Sequence, residues 1–397
     1  MNKIRVLELG FDELKSEFAR LNVDAYGSKI MLPKGSFYTV KIENISSISA
    51  NVIKQQMLSN GGDVAVSKGS IDGSKKRTDC IIIGTGKQYQ ELLKKLKLQP
   101  WGLSEVSGKI KESLERFNKK SLSVTLRDGR ISFGKRTQIM GVVNITPDSF
   151  SDGGIFLNSD SAIEQVYKLV DQGADIIDIG GESSSPGSSN VKVSEELRRV
   201  IPVIKKIRKK IKVPISIDTC KSRVAKEALD FGADIVNDIS SFSFDVKMVE
   251  VVARYKAPVI IMHMKGTPKT MQEAPDYEDV ISQIYDYIDK KISFALSRGI
   301  DRDKIIIDPG IGFGKRLEDN IEIIRRLREF KSLGRPILVG TSRKSFIGSI
   351  LKKSTNNRLY GSLGSYAYAI INGADILRVH DVLETRDLVK VIDRIKR

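Results

Sequence analysis

Eight short β-branched runs in the C-terminal two-thirds of the chain end in residues equipped for chemistry. They deliver Asn144, Asp178 with Glu182, Asp218, Asn237 with Asp238, His263, Asp308, Lys344, and Arg378 with His380. Both histidines of the chain fall in this set. Asp218, Asp308, Asn144 and Asn237 offer acceptors and amides suited to a donor-rich heterocycle. Lys344, Arg378 and His380 come from the last two units and suit an anionic group: Arg grips phosphate oxygens bidentately, and Lys acts as a mobile point charge. DPGIGFGK (308–315) sets Gly310, Gly312 and Gly314 where a backbone can approach a flat ligand closely. It lacks the spacing and Ser/Thr of a Walker loop, and GTGK (84–87) is a weaker match still. No CxxC accompanies the histidines to suggest zinc, and a nucleophilic Cys220 would need a nearby His.

These residues need a scaffold that brings distant strand ends together. The runs are QIMGVVN (138–144), DIIDIGG (175–181), VPISID (213–218), ADIVND (233–238), APVIIMH (257–263), KIIIDPG (304–310), RPILVG (335–340) and ADILRVH (374–380). Helical stretches separate them, among them SEELRRVIPVIKKIRKK and EDVISQIYDYIDKKISFALSRG. Strands buried on both faces and alternating with helices make a parallel sheet. Eight units over 136–397 match a (β/α)8 TIM barrel, whose active site lies at the C-terminal strand ends. A doubly wound open sheet would usually carry a phosphate fingerprint after its first strand, and GVVNITPDSFSDGG is not one. Two polar loops, 145–156 and 181–190, read as lids over that mouth. The Tyr-rich stretch GSLGSYAYAIING (361–373) reads as packing between barrel and helix.

Residues 1–135 read as a smaller α/β domain. IRVLEL (4–9), FYTVKIEN (37–44) and CIIIG (80–84) read as strands. DELKSEFARL (12–21), ISANVIKQQMLSN (48–60) and YQELLKKLKL read as helices, and SGKIKESLERFNKK (107–120) as a bridging helix. The 397-residue chain is 40% apolar, which excludes a mostly disordered protein. Its net charge of +17 is spread over Lys-rich helices with no basic tail or interleaved aromatics, so nucleic acid is not expected as a partner. No apolar run is long enough to span a membrane, and the N-terminus lacks the apolar core of a signal peptide. Only Cys80 and Cys220 occur, far apart, so a reducing cytoplasm is the expected compartment.

MGVVNITPDSFSDGG, IDIGGESSSPG, SIDTCK, VNDIS, IMHMKG, IDPGIGFGK, GTSRKSFIG and LRVHDVLET together resemble the motifs of the dihydropteroate synthases, pterin-binding barrel enzymes, in the expected order over roughly 140–385. The resemblance implies a transferase of folate biosynthesis. The amine of 4-aminobenzoate would displace pyrophosphate from 6-hydroxymethyl-7,8-dihydropterin diphosphate. It further implies Mg2+ at Asn144, and pterin contacts from Asp218, Asn237 and Asp308. Lys344 would reach both substrates, Arg378 and His380 the diphosphate, Phe313 the aminobenzoate ring, and Ser184 both substrates from the second loop. Family members are often homodimers, so the same is expected here. In one place the chain departs from the pattern. The family's second loop usually reads ESTRPG, whereas here Glu182 is followed by Ser183, Ser184, Ser185, Pro186 and Gly187. Ser185 thus removes an Arg near the aminobenzoate side. That departure raises one alternative, the same chemistry with a ribosylated aminobenzene phosphate as acceptor; a second is a corrinoid-linked pterin methyltransferase, a group that shares the barrel and part of the pterin site.

Overall fold

The computed structural model describes residues 3–145, 155–183 and 190–396, in two compact units, Met1–Glu115 and Arg116–Arg397. The first unit is built on a three-stranded antiparallel sheet in the order β1-β3-β2, with β1 Phe37–Ser46, β2 Asp63–Val66 and β3 Arg77–Thr85. Period-two alternation along β3 turns Cys80 and Ile82 into a core shared with Ile53 and Met57 of helix Ser47–Leu58 and with Leu92 and Leu96 of helix Gly86–Leu96. The hydroxyls of Ser46 and Thr85 accept backbone N–H groups at these helices' N-termini, fixing where each strand hands over to its helix. Two expectations change here. Residues 4–9 form no strand: Ile4 and Val6 are 95% and 97% exposed, and no neighbouring strand pairs with them among the described residues. The bridging helix begins earlier, at Leu103, and adds Leu103 and Ile110 to this unit's core.

The second unit opens with a hairpin, β4 Leu122–Thr125 and β5 Arg130–Phe133, and continues into eight parallel strands. These are β6 Gln138–Asn144, β7 Ile176–Gly180, β8 Ile215–Asp218, β9 Ile235–Asp238, β10 Val259–Met262, β11 Ile305–Asp308, β12 Leu338–Val339 and β13 Ile376–Val379. All eight lie within the runs read from the sequence. Their order is β11-β10-β9-β8-β7-β6-β13-β12, and a parallel bridge between Ile307 and Ile337 closes the ring. The architecture is a TIM barrel.

Alternation decides what enters the barrel. Outward residues such as Ile177, Ile179, Ile215, Ile217, Ile305 and Ile307 join the core under the helices. Inward residues form an apolar floor of Met140, Ile176, Ile235, Ile260, Ile306, Leu338 and Ile376. Two residues beyond the floor on the same face stand Asp178, Asn237, Asp308 and Arg378. A step of two residues, about 6.6 Å along a parallel strand, therefore carries each chain from floor to mouth.

The hairpin seals the floor from below. Val124, Leu126, Ile131 and Phe133 pack against the floor residues, and the buried Lys304 ammonium donates to the Thr125 carbonyl at 2.6 Å. The compact unit that holds the barrel thus starts at Arg116, not at residue 136 as the sequence patterning places it. The hairpin is too short to show a helix-strand period and reads from sequence as part of what precedes it. Phe133 is 1% exposed, so Phe133→Ala should lower stability by about 3–5 kcal/mol. Urea unfolding measures this, and a loss below about 1 kcal/mol would show that the floor does not depend on the plug.

Candidate active site

The barrel mouth gathers charge in a buried setting. Asp178, at the third position of β7, is fully buried; Asp218 closes β8 at 7% exposure, and Asn237 stands one residue before the end of β9 at 4%. Arg378 of β13 joins them. Its Nε donates to Asp178 Oδ2 at 2.7 Å and its Nη2 to Asp218 Oδ2 at 2.6 Å. Asn237 Nδ2 donates to the same Asp178 oxygen at 3.2 Å. Burial pushes the Asp218 carboxyl up to about 7, while the Arg378 guanidinium pulls the other way. Burial would lower Arg378, but Asp178 and Asp218 outweigh it and hold the guanidinium protonated well above its usual range.

Across the mouth, Asp308 ends β11. Its Oδ1 accepts the Gly310 N–H at 2.7 Å, and burial raises its carboxyl against the pull of Lys344. Gly310 has φ 71°, and a Cβ there would collide with the His263 carbonyl oxygen, so only glycine fits this turn. Lys344 caps helix Ser345–Leu351 and donates to the Ile311 carbonyl, with its Nζ 4.4 Å above the centre of the Phe313 ring. Burial brings the Lys344 ammonium down to about 8, against the favourable charge of Asp308. The charges of Lys344 and Arg378 both favour the ionised Asp308, so these acids and cations lie within electrostatic reach of one another.

His380 stands at the rim, its Nδ1 2.9 Å from Ser342 Oγ. The side chain reaches solvent, yet protein packed round the ring, then the charges of Arg378 and Arg343, push the imidazole down to about 4. At neutral pH it is a neutral hydrogen-bonding group. Tyr366, from the stretch read as packing, is buried and also ties the last two units together: its hydroxyl donates to the Arg378 carbonyl at 2.6 Å and accepts the Ser342 N–H at 2.9 Å. Asn144 is half-buried at the end of β6, level with Gly180 of β7, and hydrogen-bonds none of these groups. Ser184 and Ser185 lie outside the described residues, as does most of both loops read as lids.

His263 serves differently from the other strand-end residues. Burial, then the Lys315 charge, drives its imidazole down to about 2, so it stays neutral. Lys315, itself brought down to about 7 chiefly by burial, spans His263 Nδ1 at 3.0 Å and the carbonyls of His263 and Phe313 at 3.2 and 3.0 Å. The pair braces the glycine-rich loop. Lys315 escaped the sequence reading because a lysine after a glycine loop gives no sign of burial. Asp178 was visible as a strand-end acid, but nothing in the sequence showed that it would share Arg378 with Asp218.

A closed parallel barrel with acceptors for a flat, donor-rich ring beside cations for an anion defines the class of pterin-binding barrel enzymes. The model of the family described as pterin binding enzyme matches residues 140–380. The dihydropteroate synthase of Synechocystis sp. is 48% identical over 266 residues, covering 67% of this chain and 92% of the relative. A dihydropteroate synthase from Xanthomonas albilineans, solved with 4-aminobenzoic acid, superposes with a TM-score of 0.66 at 38% identity, covering 70% of this chain and 98% of that one. A probable bifunctional folylpolyglutamate synthase/dihydropteroate synthase of Halobacterium salinarum is 37% identical over 382 residues, 96% of this chain and 46% of its own length, so the match extends through the first unit. The chain belongs to the pterin binding enzyme family, among its dihydropteroate synthases. It is therefore a transferase of folate biosynthesis.

Removing the central cation should shift the acids. In Arg378→Gln, the carboxyl titration of Asp218, followed by carbon-13 NMR, should move above the wild-type midpoint near 7, because the charge favouring ionisation is gone. An unmoved midpoint would mean that Arg378 does not govern this acid.

Proposed function

We propose that this chain condenses 6-hydroxymethyl-7,8-dihydropterin diphosphate with 4-aminobenzoate, giving 7,8-dihydropteroate and pyrophosphate. The observation that carries the reading is the single guanidinium, Arg378, held between two buried acids of the mouth, Asp178 and Asp218. Asp218, Asp308 and Asn237 would hydrogen-bond the pterin ring. Once its ring N–H groups engage Asp218, they compete with Arg378 for that carboxylate. Arg378 and His380 would then take up charge on the departing diphosphate.

The carbon–oxygen bond to diphosphate breaks, and the electron pair leaves with pyrophosphate. The electron-rich dihydropterin tolerates positive charge at its exocyclic carbon, and Asp218 and Asp308 favour that charge through the ring. The aryl amine nitrogen bonds to this carbon and releases its extra proton to solvent or to pyrophosphate. An aryl amine is already a nucleophile, so no strong base is needed. Phe313 would flank the aminobenzoate ring beneath Lys344, and Lys344 would reach both substrates. Ser184 is assigned by resemblance alone.

Mg2+ belongs to the same proposal. The hard-oxygen donor set fits it: Asn144 offers one amide oxygen, and this ion usually keeps several waters and adds substrate phosphate oxygens. Asn144 would hold the ion, which when bound supplies charge neutralisation at the diphosphate. A homodimer in the cytoplasm is carried over from the family as part of this reading.

Pyrophosphate release tests the reaction directly. Arg378→Ala should lower kcat/KM by at least about 100-fold, and a near-wild-type rate would defeat the leaving-group assignment. The second loop, with Ser185 where the family usually has Arg, favours asking separately which acceptor is used. In a competition on purified protein, 4-aminobenzoate should be consumed ahead of a ribosylated aminobenzene phosphate, since losing an Arg does not favour a phosphate-bearing acceptor. The reverse preference would reassign the acceptor.

A further inference from the structure

Two buried aspartates at the mouth differ in what they hold. Asp238, fully buried, spends its oxygens on its own loop: Oδ1 accepts the Ser240 N–H at 2.9 Å and its hydroxyl at 2.7 Å, and Oδ2 accepts the Phe242 N–H at 2.6 Å. That pattern staples a loop whose Ser241 and Phe242 have φ of 51° and 67°. Asp178 is equally buried, yet among the described residues its side chain hydrogen-bonds no backbone group. Oδ2 takes Arg378 Nε and Asn237 Nδ2, and Oδ1 has no hydrogen-bond partner among the described residues. A buried carboxylate is costly and is expected to be well paired. Here all of its pairing goes to two side chains of the site.

The guanidinium geometry shows what this pairing does. Nε and Nη2 are occupied by Asp178 and Asp218, while Nη1 has no hydrogen-bond partner among the described residues. Asp218 is the acid read as a pterin ligand, so that hydrogen bond is lost when the ring arrives. The reading above assigns no ring contact to Asp178, so the bond from Arg378 Nε has no competitor there. We propose that Asp178 is a positioning residue, a fixed pivot that holds Arg378 by Nε while Nη1 and the released Nη2 turn to the diphosphate. Seating the ring at Asp218 thereby frees the group that grips the leaving anion. This rests on the reading of the site given above.

The test compares two ligands, 6-hydroxymethyl-7,8-dihydropterin and its diphosphate, by calorimetry at saturating Mg2+. Asp178→Asn keeps the size and an acceptor oxygen but loses the charge that fixes Arg378. The ratio of the two Kd values should fall at least about 10-fold, with the diphosphate-free ligand changed less than about threefold, and kcat should fall more than KM rises. Equal weakening of both ligands would mark a merely structural acid, and an unchanged ratio would equally overturn the proposal. Should Asp178→Asn fail to fold, the wild-type protein decides. The Arg378 Nε–H resonance, assigned by its loss in Arg378→Lys, should stay downfield and slowly exchanging with and without the diphosphate ligand. Its disappearance on binding would overturn the pivot. Absence of wild-type pyrophosphate release would instead refute the underlying reading of the site.

Discussion

One guanidinium between two buried carboxylates governs the mouth of this barrel. Charge taken out of water is tolerated only when it is paired and hydrogen-bonded. Asp178 and Asp218 are stable inside the barrel because Arg378 lies between them, and Arg378 stays charged because they do. Removing Arg378 strands both acids, whereas removing either acid leaves the guanidinium with one partner. That mutual dependence fixes the positions of side chains carried by strands far apart in sequence. It also leaves the site poised, since a ligand with its own N–H donors can replace the arginine at one carboxylate without exposing a bare charge.

The surrounding polar groups divide into those that build and those that face the hollow. Asp238, His263 and Lys315 spend their hydrogen bonds on loop backbone or on each other. They brace the glycine-rich turn and the loop after β9, so that Asp308, Lys344 and Phe313 are held in fixed places. Tyr366 does the same for the last two units, gripping the Arg378 carbonyl and the Ser342 amide with one hydroxyl. A site assembled from strand ends is only as well defined as these second contacts make it.

The barrel was legible because its strands are short β-branched runs at helix-spaced intervals, each ending in a polar residue or glycine. Which residues face inward came only from the folded strands, where Ile176 then Asp178, Ile306 then Asp308, and Ile376 then Arg378 share one face. Three things stayed hidden, each for a physical reason. The hairpin 122–133 is too short for a pattern, and its apolar residues gain meaning only from the floor they cover. The run 4–9 is apolar enough to read as a strand, but composition supplies no partner to pair with. The ion-pair geometry of Asp178, Asp218 and Arg378 joins positions 160 and 200 residues apart, and residue type alone does not choose between pairing with each other and pairing with a ligand.

The plug formed by Val124, Leu126, Ile131 and Phe133 has a bearing on traffic. A cylinder stoppered at one end is a blind well. Whatever enters and whatever leaves must pass the same lip, beside His380. Departure is then a queue: the deeper-seated product cannot escape until the shallower one has cleared the opening, so turnover depends on which molecule sits nearer the exit.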